Sequence, residues 1–246
     1  MITVEHISKS FGDVKAVKDV SLVAEDGKIT ALLGANGAGK TTSMRMIYAL
    51  ITPETGVVTV DGINSTENPV AARARMGVLP DARGLYLRLT ARENMAYFGR
   101  LQGMNEADIK RRSDELIKRL GMAKFADRQT DGFSQGQRVK VAIARALLHD
   151  PQNILLDEPT NGLDVMSTRA IREFLREEKA RGKCILFSSH VMQEVSAVCD
   201  EITVIDAGAV RAKGTEAELL TLSGQNNLED AFVSLVTTHT ETGAEA

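Results

Sequence analysis

The chain has 246 residues, a formal net charge of -3 and two cysteines. That length suits one large α/β domain or two small ones with a proper core, and the charge excludes nucleic-acid binding through a bulk basic surface. No apolar run reaches the ~18–20 residues of a membrane-spanning helix, and Cys184 and Cys199 lack metal-ligand spacing, which leaves reduced, buried thiols of a cytosolic protein.

The opening residues, MITVEHISKSFGD, alternate and carry charge early, unlike a signal peptide. Lys28 to Leu33 reads as a strand and Thr41 to Leu50 as the helix that follows it. Val57 to Val60, between Gly56 and Asp61-Gly62, reads as a short strand bounded by turns. Met76 to Leu79 is another strand, ending in Pro80-Asp81-Ala82-Arg83-Gly84. From Thr90 to about His149 strands disappear. Ile109, Leu116, Ile117 and Leu120 recur at helical spacing, with Asn105 as N-cap and Gly121 as stop. Strands return at Asn153 to Leu156, Cys184 to Phe187 and Ile202 to Ile205, with a helix from Ser167 to Arg181 closed by Gly182. This alternation predicts an α/β fold around a largely parallel sheet, interrupted by a helical insertion. The last ten residues, TTHTETGAEA, read as disordered.

Three stretches carry chemistry. GANGAGKTT, residues 34 to 42, fits G-x-x-x-x-G-K-[ST] between a strand and a helix. Gly34, Asn36, Gly37, Ala38 and Gly39 let backbone N–H groups close around phosphate oxygens at a positive helix end. Lys40 reaches the β- and γ-phosphates, the Thr41 hydroxyl ligates Mg²⁺, and Thr42 completes the loop. The pattern predicts binding of a nucleoside triphosphate. NILLDEPTNGLD, residues 153 to 164, is a buried strand ending in adjacent carboxylates. There Asp157 can hold the metal and Glu158 can orient or deprotonate a water attacking the γ-phosphate. FSQGQ, residues 133 to 137, opens an amphipathic helix. Taken alone, Ser134 there is simply an N-cap.

Taken together and in this order, the stretches resemble the ATP-binding cassette (ABC) ATPases over nearly the whole chain. The resemblance implies an α/β P-loop NTPase fold with a RecA-like core, an antiparallel β subdomain and an inserted helical subdomain. It implies one domain, 1–236: core plus β subdomain at 1–88 and 150–214, helical subdomain at 89–149, C-terminal helical segment at 215–236, and a flexible tail at 237–246. Ser134, Gly136 and Gln137 match the signature, which in this family faces the nucleotide of a second cassette. Phe11 matches the adenine-stacking aromatic, although a plain core Phe is the competing reading. Asp164 in NGLD matches the D-loop, and His190 in SSH matches the switch histidine at the γ-phosphate. The implied cofactors are ATP and Mg²⁺. The implied partners are a second copy of the subunit and an integral membrane permease, with no nucleic acid. The implied place is cytoplasmic, peripheral on the inner face of the membrane.

Asp81 departs from the family, where Gln usually stands after this strand and touches Mg²⁺ and the attacking water. Asp81 is either a turn residue or a shorter, charged oxygen ligand facing the metal, with Arg83 placed to offset its charge. PDARGLYLRLTARENM resembles the ATPase subunits of sodium-extruding two-component exporters, and LEDAFVSL resembles exporter subunits more broadly. Drug and polysaccharide exporters share much of the chain and are the alternative. A soluble ABC ATPase of translation or DNA repair usually carries paired cassettes, coiled-coil insertions or zinc-binding cysteines. A P-loop kinase or GTPase leaves the signature and His190 unexplained.

Overall fold

The computed structural model describes residues 1–81 and 84–242. The chain opens with strands β1 (Ile2–Phe11), β2 (Val14–Ala24) and β3 (Ile29–Leu33), then helix α1 (Lys40–Ile47). β4 (Thr55–Val60), β5 (Ile63–Asn64), α2 (Pro69–Ala74) and β6 (Met76–Leu79) follow. Next come three successive helices, α3 (Ala91–Leu101), α4 (Glu106–Arg119) and α5 (Gln135–Ala146). β7 (Asn153–Asp157), α6 (Val165–Ala180), β8 (Cys184–Ser189), α7 (Met192–Val198), β9 (Glu201–Asp206) and β10 (Ala209–Gly214) lead to α8 (Glu216–Ser223) and α9 (Leu228–Thr242).

All the strands form one sheet in the order β5-β4-β1-β2-β10-β9-β3-β8-β7-β6. The run from β9 to β6 is parallel, whereas β1, β2, β4 and β5 pair antiparallel. β6 and β7 are parallel neighbours although three helices separate them in the chain, so residues 91–146 are an insertion into the sheet. The central strands are buried on both faces, as their continuous apolar runs require. Period two then divides each run between two cores. Ile29, Ala31 and Leu33, with Ile185, Phe187, Ile154 and Leu156, face a core shared with α3 to α6. Leu32, Leu186 and Leu155 face the other, where Met44 and Ile47 of α1 meet Val4, Val20 and Leu22 of the antiparallel strands.

Local signals fix several boundaries as expected. The Asn105 side chain accepts from the Asp108 N–H at 2.8 Å and starts α4. β6 spans the residues assigned to it. Other boundaries differ; β4 already starts at Thr55 and β8 runs on to Ser189. α1 ends at Ile47 and not at Leu50, because Ala49 turns left-handed (φ 55°) and the Leu50 N–H bonds back to the Arg45 carbonyl. α6 starts at Val165, since Asp164 and not a later residue caps it. The segment read as a flexible tail is helical through Thr242, an extension of α9, whose Ala231, Phe232 and Leu235 are buried. Residues 243–246 lie outside the described residues.

The insertion is fastened to the sheet by charge as well as by packing. Arg119 of α4 meets Glu178 and Glu177 of α6 at 2.5 and 3.0 Å, and its guanidinium lies 4.9 Å from the Phe174 ring centre. Arg112, also on α4, donates to the Leu147 and Leu148 carbonyls and pairs with Asp150 at 3.0 Å. The Glu178 side chain is only 4% exposed and is held by Arg119 and, at 3.5 Å, by Arg181. Removing the closer partner leaves a buried carboxylate poorly compensated. Arg119→Ala is therefore expected to lower unfolding free energy by roughly 2 kcal/mol, measured by urea titration.

Candidate active site

The parallel arrangement of β3, β8 and β7 brings their carboxyl ends side by side, where open α/β sheets bind ligands. Leu33 stands opposite Ser189, and Ser188 opposite Asp157. The residues just beyond these ends are therefore neighbours: the loop from Gly34, the acids Asp157 and Glu158, and His190.

The loop into α1 needs glycine for two separate reasons. Gly39 caps α1 with φ 102°, and a side chain there would lie 2.6 Å from the Ala16 carbonyl. At Gly34 the obstacle is contact alone, because a Cβ would meet the Ile205 carbonyl at 2.4 Å. Ala38 is buried beneath the loop, and its carbonyl accepts from the Gly208 N–H.

Lys40 is the pivot of the site. Its Nζ donates to the Gly34 and Ala35 carbonyls at 2.8 and 3.1 Å and lies 3.2 Å from Glu158 Oε1, all at 5% side-chain exposure. The other carboxylate oxygen of Glu158, Oε2, lies 2.9 Å from His190 Nδ1. An ionised carboxylate only accepts, so Nδ1 carries the proton in this contact. Glu158 itself has a left-handed backbone, φ 49°, a conformation that costs a non-glycine residue about 1–2 kcal/mol.

Asp157 is almost fully buried. Its Oδ1 accepts from the Ser188 hydroxyl at 2.5 Å and from the Thr41 hydroxyl at 3.4 Å. Its Oδ2 is buried with no hydrogen-bond partner. Burial pushes the Asp157 carboxyl above its ordinary range, the two hydroxyls oppose that rise, and the charges of Asp81 and Glu158 add to it. A buried, unpaired carboxylate oxygen next to a hydroxyl fits a hard divalent cation. Among the described residues no group of three His, Cys, Asp or Glu side chains forms a metal cage. That is the expected situation for Mg²⁺, which is held by one or two carboxylates together with substrate phosphates.

Lys40, Thr41, Glu158 and His190 open into a cavity of about 560 Å³, whereas Asp157, Gly34 and Ala38 stand outside its lining. Asn36, Gly37, Gly39, Lys40, Thr41 and Thr42 line one wall, and Asp81, Glu158, Asn161 and His190 another. Asp81 is exposed and in the lining. Arg83 lies outside the described residues. Val14, Lys15, Ala16 and Lys18 of β2 form a further wall that the sequence reading did not assign. These residues directly follow Phe11 in KSFGDVKAV, but no spacing rule marks them. Phe11 itself is 52% exposed at the end of β1 and outside the lining, which rules out the plain core reading.

The signature residues are elsewhere. Ser134 caps α5, with its hydroxyl accepting from the Gln137 N–H and the Gln137 side chain accepting from the Ser134 N–H. A Cβ on buried Gly136 would lie 2.6 Å from the Ser167 hydroxyl, so α5 packs closely against the turn that Asp164 caps. Ser134, Gly136, Gln137 and Asp164 contribute nothing to the cavity lining.

A family model described as "ABC transporter" matches residues 17–161. The chain is 48% identical over 239 residues to the ABC transporter ATP-binding protein NatA of Bacillus subtilis (strain 168), covering 95% of this chain and 97% of that one. A solved structure titled "Structure of ATP binding subunit of ABC transporter" superposes with TM-score 0.88 at 30% identity, covering 96% of this chain and 99% of the other. The dimeric post-hydrolysis state of the cassette MJ0796, bound to ADP and Pi, superposes with TM-score 0.79 at 26% identity, covering 87% and 98%. By family match, by similarity along nearly its whole length and by fold, this chain belongs to the ATP-hydrolysing, ATP-binding subunits of ABC transporters.

Proposed function

We propose that ATP hydrolysis at this site drives export through a separate membrane permease, with Na⁺ as the extruded ion. The observation that carries the hydrolytic part is the convergence of Lys40, Glu158 and His190 on the cavity. The exporter assignment rests on the stretch from Pro80 to Met95 and on the similarity to NatA. No described helix is long and apolar enough to cross a membrane. The permease is accordingly a separate chain in this reading, and it holds the ATPase at the inner face of the membrane.

Lys40 and Glu158 set the order of events. An arriving γ-phosphate competes with Glu158 Oε1 for the Lys40 ammonium. Once Lys40 turns to phosphate oxygens, Oε1 accepts a proton from the attacking water, while His190 steadies Oε2 and faces the γ-phosphate. Thr41, Asp157 and Asp81 would hold Mg²⁺, which supplies neutralisation of charge on the β- and γ-phosphates. Phe11 stacks on the adenine, and Asn36 to Thr42 cradle the phosphates. Because Ser134, Gly136 and Gln137 stand outside the lining of their own cavity, in this reading they serve the nucleotide of a second subunit, with Asp164 in the contact between the two. Binding of two ATP closes the dimer and hydrolysis reopens it.

The decisive experiment measures Na⁺ flux in vesicles carrying this chain together with the membrane protein that co-purifies with it. Wild type should give ATP-dependent flux. Glu158→Gln should retain ATP binding, slow hydrolysis roughly 10²- to 10⁴-fold, accumulate an ATP-bound dimer on a sizing column, and stop the flux. ATP hydrolysis without Na⁺ movement would contradict the ion and favour another exported species. A monomeric variant at saturating ATP would contradict the shared site.

Asp81 is read as facing the metal, because it lines the same cavity as Thr41 and its charge bears on Asp157. Asp81→Asn should then raise the Mg²⁺ concentration that half-saturates hydrolysis. Superimposable wild-type and variant curves would make Asp81 a turn residue.

A further inference from the structure

Ser188 opens the SSH stretch and has no assigned role there, yet it touches both acids. It lies on β8 with no solvent exposure. Its Oγ is 2.5 Å from Asp157 Oδ1 and 3.0 Å from the Glu158 backbone nitrogen. A hydroxyl has one proton and two lone pairs. The Glu158 N–H can only donate, so Ser188 accepts there, and its single proton is directed to Asp157. The hydroxyl has no alternative arrangement that satisfies both neighbours.

Each contact has a consequence. The bond to Oδ1 fixes the rotation of the Asp157 carboxylate and leaves Oδ2 as the buried oxygen without a hydrogen-bond partner. The bond from the Glu158 N–H anchors a backbone at φ 49°, the conformation from which Glu158 reaches Lys40 and His190 at 3.2 and 2.9 Å. Without Ser188 Oγ, that buried N–H would lack its partner, and such a group relaxes toward any geometry that restores one.

We infer that Ser188 is a positioning residue of the hydrolytic site, orienting Asp157 toward the metal and Glu158 toward the attacking water through one bridging hydroxyl. The inference rests on the reading of Asp157 as a metal ligand. Removal of an outer partner of a ligating carboxylate typically costs 10- to 100-fold in metal affinity or activity. The bonds of Lys40 Nζ to the Gly34 and Ala35 carbonyls do not involve Ser188, so metal-free nucleotide affinity should be preserved.

Ser188→Ala and Ser188→Cys test this together. The cysteine variant keeps the volume of the buried site but offers only a weak donor and acceptor, and it carries the test if the alanine variant does not fold. Binding of a fluorescent ATP analogue is titrated in EDTA and then against Mg²⁺, and hydrolysis is measured at saturating Mg²⁺. Affinity in EDTA should stay within about twofold of wild type, the half-saturating Mg²⁺ should rise about 10- to 100-fold, and kcat should fall at least about 10-fold. Mg²⁺ dependence and kcat within about twofold of wild type in the folded variants would overturn the inference. A wild-type titration in which Mg²⁺ leaves nucleotide binding unchanged would instead remove the Asp157 metal site, and the inference with it.

Discussion

A buried ammonium must be paired, and in this chain the ammonium is Lys40. Two carbonyls of its own loop and one oxygen of Glu158 surround Nζ. Everything nearby serves that arrangement. Gly39 lets the loop press against β2, Ala38 seals its underside, and the parallel register of β3, β8 and β7 delivers Glu158 from a different part of the chain. Glu158 accepts a strained backbone to get there. In the proposed mechanism the ammonium held against Oε1 lowers the basicity of Glu158, so a phosphate that draws Lys40 away also frees the base for its water.

The second constraint belongs to the proposed dimer, in which one subunit carries two halves of different sites. The cavity gathers the phosphate loop, Glu158 and His190, while the amino end of α5 packs against the Asp164 turn outside that lining. Charge pairs between α4 and α6 tie the insertion to the sheet, and the shared core continues across the junction.

Much of this was legible in the sequence, for identifiable reasons. The phosphate loop and the tandem acids are contiguous, and contiguous chemistry survives in one dimension. The Asn105 and Ser134 caps are equally local, as short-range hydrogen bonds usually are. What escaped was assembled from a distance. Val14, Lys15, Ala16 and Lys18 line the cavity only because β2 lies against Gly39. Ser188 stands two residues before His190, but its hydroxyl gains a role only when β8 pairs with β7. The end of α1 turns on a left-handed Ala49, which composition does not reveal. The stretch after Val236 is polar enough to read as disorder, yet α9 continues through it to Thr242.

The most direct test of the account is a nucleotide titration of Lys40→Ala. Removing the ammonium leaves the loop glycines, the tandem acids and His190 in place, so the experiment isolates the one charge on which the arrangement turns. The account predicts loss of most ATP binding in a variant that still unfolds cooperatively. ATP affinity close to that of the wild type would contradict it, and would place the phosphate-binding energy somewhere other than Lys40.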